Sequence, residues 1–186
     1  MIIKLILFFL FYSPIANADD CNASFELSEV SLDNGARQIN FNWKLTGNVS
    51  SKLIWNDLIS CMQNSFTCEL WPKGLSKVSS RNQSIEQGIK IYVKYYLLFN
   101  LGKTQPYFIK DLNDDDQSLS YRVSNAHSFS EGGADIEISE IDEVITQVSW
   151  QGYYHIKADQ GANASFFKSY SHKFFKALEK NICRHF

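Results

Sequence analysis

Proline, methionine and glycine are scarce in this chain of 186 residues, which carries 3 Pro, 2 Met and 9 Gly. No Pro/Gly/Ser-rich linker and no internal repeat interrupts it, so the length suits one domain rather than several. An excess of one charge is lacking too. Against 20 Asp and Glu stand 18 Lys and Arg, giving a formal net charge of −2, and the absence of any basic run argues against a nucleic-acid binder. The G-x-S-x-G elbow, the H-E-x-x-H pair and the Walker loop are all missing, which leaves the commonest nucleophilic, zinc-hydrolase and phosphate-cradling chemistries without footing. There are 4 Cys but no C-x-x-C, and no histidine sits at finger spacing from them, so no metal site is expected. What the chain has in plenty is aromatic surface. Its 14 Phe, 9 Tyr and 4 Trp are far more than a solvated, disordered chain carries, and a packed core follows.

The N-terminus indicates where the protein works. Lys4 precedes an apolar run ending at Tyr12, then Ser13-Pro14 and the small-x-small triplet Ala16-Asn17-Ala18. This is the pattern of a cleavable signal peptide over residues 1–18, with the mature domain at 19–186. The apolar run is too short for the ~20 residues that span a bilayer, so no stable membrane insertion is expected after cleavage. Asp19 and Asp20 precede Cys21 where lipid attachment would need small or apolar residues. A periplasmic or secreted protein is expected. In that oxidising setting four cysteines read as two disulfides with three possible connectivities. The favoured pairs are Cys61 with Cys68, seven residues apart, and Cys21 with Cys183, at opposite ends of the mature chain.

Residues 37–45 alternate Ile39, Phe41, Trp43 and Leu45 with polar neighbours, the signature of a strand with one buried face. A strand over 25–32 precedes it across the Asp33-Asn34-Gly35 turn. Ser50 or Ser51 caps a helix that begins with Leu53, Ile54 and Leu58, and a second short helix is expected over 65–70, ending at Trp71-Pro72. Strands are then expected over 75–80, 88–99, 107–112, 118–124, 134–140 and 145–156, with turns at 113–116 and at Glu131-Gly132-Gly133. The period finally switches. Phe166, Tyr170, Phe174, Leu178 and Ile182 recur every four residues, widened by Phe167 and Phe175, in one long amphipathic helix over 162–184.

This order of elements, with its residues, resembles the START-like, helix-grip superfamily (SRPBCC), which includes polyketide cyclase/dehydrase-like and lipid-transfer proteins. The resemblance spans residues 37–182. It is carried by Trp55-Asn56-Asp57-Leu58 with Leu70-Trp71-Pro72, by Leu119-Ser120-Tyr121-Arg122-Val123 with His127-Ser128-Phe129, and by Thr146-Gln147-Val148-Ser149-Trp150 before the last helix. It implies an α+β fold in which a curved antiparallel sheet grips the long C-terminal helix, with two short helices after the first core strand. An apolar cavity lies between sheet and helix in this picture, while the alternative is a core solidly filled by the same aromatics.

Val148, Trp150, Tyr154 and Ile156 share one parity, as do Tyr121 and Val123, Ile136 and Ile138, and Ile91 and Val93. The residues expected to line a ligand site are therefore Tyr121, His127, Trp150, Tyr154, Phe166, Tyr170 and Phe174. No catalytic set is assigned. Asp135 and Glu137 alternate with Ile136 and Ile138 onto the solvent face, and Asp111-x-Asn113-x-Asp115 fails as a calcium loop because Asp116 replaces the glycine and Arg122 the glutamate. No cofactor is implied. The expected partner is a hydrophobic small molecule or lipid, bound or carried. The alternatives are a cyclase-type enzyme using His127, Tyr121 or Arg122 as proton handlers, and an interaction protein with a filled core.

Overall fold

The computed structural model describes residues 21–96, 104–124, 129–158 and 161–185. The expected signal peptide, His127 and the far end of the strand expected over 88–99 lie outside them. Eight strands form one antiparallel open sheet in the order β1-β2-β8-β7-β6-β5-β4-β3. They are β1 (Asn22–Ser31), β2 (Arg37–Gly47), β3 (Ser76–Ser79), β4 (Lys90–Tyr95), β5 (Thr104–Asn113), β6 (Ser118–Ser124), β7 (Phe129–Glu140) and β8 (Thr146–Ile156). Among the described residues two helices accompany the sheet, α1 (Ser51–Gln63) between β2 and β3 and α2 (Gly161–His185) after β8.

The β1–β2 turn forms where expected. Gly35 takes a φ of 77°, and the Asn34 side chain accepts from the Ala36 amide at 3.0 Å. Ser50 caps α1, its hydroxyl accepting from the Leu53 amide at 3.4 Å. The helix closes one end of the curved sheet. Its Trp55 indole donates to Asp114 Oδ1 at 3.0 Å in the β5–β6 turn, and its Ser51 hydroxyl donates to Glu140 at 2.7 Å at the end of β7.

Three local expectations need correction. The second short helix is absent: residues 65–70 run in turns after α1. The Asn64 side chain takes the Phe66 amide at 3.1 Å, and Ser65 exchanges hydrogen bonds with Val78 of β3, so these polar residues compete with helical backbone bonds. Cys61 and Cys68 are disulfide-bonded with Cα atoms 4.9 Å apart. A continuous helix would separate them by about 10 Å, so the bridge holds the chain's reversal.

Glu131-Gly132-Gly133 is not a turn but part of β7, with Gly132 opposite Tyr154 and Gly133 opposite Tyr153. A Cβ on Gly132 would lie 2.5 Å from Tyr154 Cδ1 and 2.8 Å from the Tyr153 carbonyl oxygen. Close cross-strand approach on the curved sheet, rather than a reversal of direction, requires glycine here. Phe166 is the third correction. It is 39% exposed, whereas Phe167, Tyr170, Phe174, Phe175, Leu178 and Ile182 are buried. A strict four-residue spacing drifts by about 40° per step around a helix, so the first member of the stripe rotates out toward solvent.

Helix α2 is held to the sheet and to the segment after α1. The Cys21–Cys183 disulfide, with Cα atoms 6.1 Å apart, ties the start of β1 to the last turn of α2. Glu29 of β1 bonds Lys168 of α2 at 2.5 Å and Arg37 of β2 at 2.7 Å. Those bonds hold the Glu29 carboxyl below its ordinary value, the hydrogen bond from Lys168 acting most strongly. Asn181 of α2 also donates to the Leu70 carbonyl, in the segment between α1 and β3, at 3.0 Å.

Candidate functional site: an aromatic cavity between sheet and helix

Alternation sends one side chain in two from each strand toward α2, and on the central strands many of these are aromatic. Phe41, Tyr107, Tyr121, Trp150 and Tyr154 come from the sheet, Phe167, Tyr170, Phe174 and Phe175 from α2, and Met62 and Trp71 from α1 and the segment after it. Between them lies a cavity of about 60 Å³. Rings of this size meet edge to face more readily than they fill space. Tyr95 stands at 89° to Tyr170 with centroids 5.0 Å apart, and Trp150 at 89° to Phe174 at 5.8 Å.

The polar atoms of this apolar space are phenols, indoles and serine hydroxyls, most of them hydrogen-bonded to one another. Tyr121 receives the Trp150 indole N–H at 3.1 Å and the Tyr154 hydroxyl at 3.4 Å. Ser76 Oγ receives the Trp71 indole N–H at 3.1 Å and the Tyr170 hydroxyl at 2.8 Å. Tyr95 and Tyr107 share a hydrogen bond at 2.6 Å. Burial drives every one of these phenols upward. Tyr121 is pushed up to about 12, offset in part by the hydrogen bonds from Tyr154 and Trp150. Tyr107, Tyr154 and Tyr170 are raised well above 10.0 by the same loss of solvation, and Tyr95 rises too. At neutral pH all are uncharged donors and acceptors.

Of the residues expected to line a site, Tyr121, Trp150, Tyr154, Tyr170 and Phe174 meet at this cavity, and Phe166 does not. Phe166 stacks on Tyr170 from the solvent side, with centroids 6.2 Å apart. His127 lies outside the described residues. Arg122 points to the other face of the sheet, where it pairs with Asp135 at 2.9 Å. His155 lies on that outer face too, 2.9 Å from Gln38 Oε1, and His172 packs edge-on against Phe25 of β1. The expected calcium mimic forms a hydrogen-bonded turn in which Asn113 Oδ1 accepts from the amides of Asp115 and Asp116.

Sequence reading missed Tyr95, Tyr107, Ser76 and Trp71. A signal existed for the first two: Tyr95 continues the parity of Ile91 and Val93, and Tyr107 shares that of Ile109. None marks Ser76 or Trp71, whose partners lie on other elements.

Solved structures share the fold of sheet and C-terminal helix. Ara h 8.0201 superposes with a TM-score of 0.53 at 13% identity, over 87% of this chain and 97% of that one. The fold is the helix grip. The Zhui aromatase/cyclase from a Streptomyces species gives a TM-score of 0.60 at 13% identity, over 79% of this chain and 94% of that one. Norcoclaurine synthase from Thalictrum flavum, in complex with dopamine and hydroxybenzaldehyde, gives 0.53 at 10% identity over 98% of both chains. No protein-family model matches the sequence, and no curated protein does. At these identities what is shared is the helix-grip fold itself.

Proposed function

We propose that the protein is an exported binder of a compact hydrophobic molecule, held between the sheet and α2. The observation that carries this reading is the aromatic cavity between sheet and helix, with neutral hydroxyls inside it. An apolar lining with a few polar groups to orient a guest is the usual make-up of a small-molecule site. Tyr121 and Ser76 each accept two hydrogen bonds and keep their own proton, so a guest with an oxygen acceptor at its edge finds a donor on either side. The fold neighbours named as an aromatase/cyclase and as a synthase bound to dopamine and hydroxybenzaldehyde support ring-shaped guests as the class to test first.

Size refines the proposal. The cavity of about 60 Å³ is well below the ~150 Å³ that admits benzene, so a guest enters only as side chains turn aside. Met62, with three rotatable bonds, is the lining residue best able to do so. A lipid chain needs a much larger displacement and is the less favoured ligand. The same small volume favours one competing reading, an interaction protein whose core is nearly filled. For a cyclase-type enzyme the support is thinner, because Arg122 faces away from the cavity and Tyr121 holds its proton to about 12.

Export is supported by the two disulfides, which suit an oxidising compartment, and by the leader-like pattern of residues 1–18. Native mass spectrometry of protein purified from its own compartment tests both points. The expected result is a chain beginning at Asp19 that carries a small apolar mass. A chain retaining Met1 contradicts export, and a bare chain under conditions that preserve complexes contradicts the binder reading.

A further inference from the structure

The outer face of the sheet, turned away from the cavity, carries an unbalanced set of cations at its β3–β5 margin. Lys77 stands directly opposite Lys94 in the β3–β4 register, although like charges in that position repel. Lys90 follows on β4 and Lys110 on β5, and Arg81 reaches in from the β3–β4 connection. Among the described residues none of these five cations pairs with a carboxylate. In sequence the acids next to these cations are Glu86, in that connection, and Asp111, beside Lys110.

Three of the cations sit over aromatic rings. Lys77 Nζ is 4.1 Å from the Phe66 centroid, Arg81 Cζ is 3.8 Å from that of Tyr92, and Lys90 Nζ is 5.2 Å from that of Phe108. Arg81 does this from a φ of 56°, a conformation that a residue with a side chain adopts at a cost. Guarding an exposed edge against strand pairing explains a lysine on β3, the edge strand. It does not explain the lysines on β4 and β5, which are paired on both sides.

We propose that this face docks on an anionic phospholipid bilayer. Phosphates at the headgroup level neutralise the facing lysines, each basic group near such a surface adding to the attraction. Phe66 and Phe108, both exposed, settle at the interfacial depth that aromatic rings favour. A single-stranded nucleic acid fits less well, since base stacking needs free ring faces and cations already occupy these. The docking face is the opposite side of the sheet from the cavity, so this proposal and the ligand-binding one stand or fall separately.

Co-sedimentation of the purified protein with phosphatidylcholine vesicles, with and without phosphatidylglycerol, tests it. The protein is expected to pellet only with the anionic vesicles and to be released by salt. Lys77→Ser with Lys94→Ser should weaken that binding by about tenfold or more. Arg81→Gly should weaken it while leaving the melting temperature unchanged or higher, because glycine takes a positive φ freely. Lys173→Ser with Lys176→Ser, on the exposed side of α2, should bind as wild type. Any of four results overturns the proposal: no pelleting of wild type with anionic vesicles, equal pelleting with neutral ones, loss of binding in the α2 variant alone, or single-stranded DNA bound as tightly through the same lysines.

Discussion

The Tyr170 hydroxyl on α2 donates to Ser76 Oγ on β3 at 2.8 Å, joining residues 94 apart in sequence and fastening the helix to the sheet edge opposite β1. With Cys21–Cys183 at the β1 edge, α2 is gripped from both margins. Tyr170→Phe removes one bond and leaves Ser76 with the Trp71 donor. The expected effect is a loss of about 1 kcal/mol in chemical denaturation, with no change in the slope of the transition.

The two disulfides should differ in weight. In the chain-entropy picture a bridge across 162 residues contributes about 5 kcal/mol and one across 7 about 2 kcal/mol, before any native strain is subtracted. Cys21→Ser with Cys183→Ser should therefore lower stability more than Cys61→Ser with Cys68→Ser. Hydrogen exchange should show β1 losing protection first in the former, since that edge strand is then held to α2 by Glu29 and packing alone.

Gln105 on β5 is 5% exposed, and its Oε1 has no hydrogen-bond partner among the described residues. An orphaned buried acceptor is a standing penalty, and an apolar side chain of similar shape removes it. Gln105→Met should raise stability by about 1 kcal/mol, and Gln105→Glu should lower it by burying a charge. A lower denaturation midpoint for the methionine variant contradicts this account of Gln105.

Alkali should unfold the protein through its buried phenols. In the unfolded chain tyrosine ionises near 10, while in the folded chain Tyr121 resists to about 12 and Tyr107, Tyr154 and Tyr170 resist as well. A raised folded value means that the stabilisation is complete below pH 10 and is lost as pH climbs toward the folded values. Phenolate absorbance should rise in two phases, exposed tyrosines first and the cavity tyrosines together with loss of near-ultraviolet dichroism. Acid acts through Glu29 with the opposite sign: its contribution is present above its ordinary 4.5 and fades as pH falls below it, and Glu29→Gln should remove that part of the acid limb.

Much of this architecture is legible in the residues themselves. Strand β2 announces its buried face through Ile39, Phe41, Trp43 and Leu45, and α2 through the recurrence from Tyr170 to Ile182, because both periods are long and uninterrupted. Short-range signals misled where distant contacts decided the outcome. Gly132 and Gly133 suggest a turn to a local reading, yet they answer to the rings and backbone of the neighbouring strands. Residues 65–70 suggest a helix until Asn64 and Ser65 find their backbone partners, some of them on β3. The cavity's strand-borne aromatics, Tyr95 and Tyr107 included, share the parity of the buried faces, whereas nothing local marks Trp71. The cavity's polar pairing has no local mark either, because Ser76 with Tyr170 and Tyr121 with Trp150 exist only once the sheet has curled around the helix.

The central claim is that the space between sheet and α2 receives a small apolar guest, and a direct test is a titration of wild type and Val93→Phe with naphthol, followed by tryptophan fluorescence. Val93 lines the cavity, so a phenyl ring there fills it at about 1–3 kcal/mol of overpacking, which a parallel thermal melt monitors. Saturable quenching in wild type, with a raised melting temperature, and its loss in a folded Val93→Phe variant is the predicted result. No saturable response in wild type, or the same response in both proteins, contradicts it.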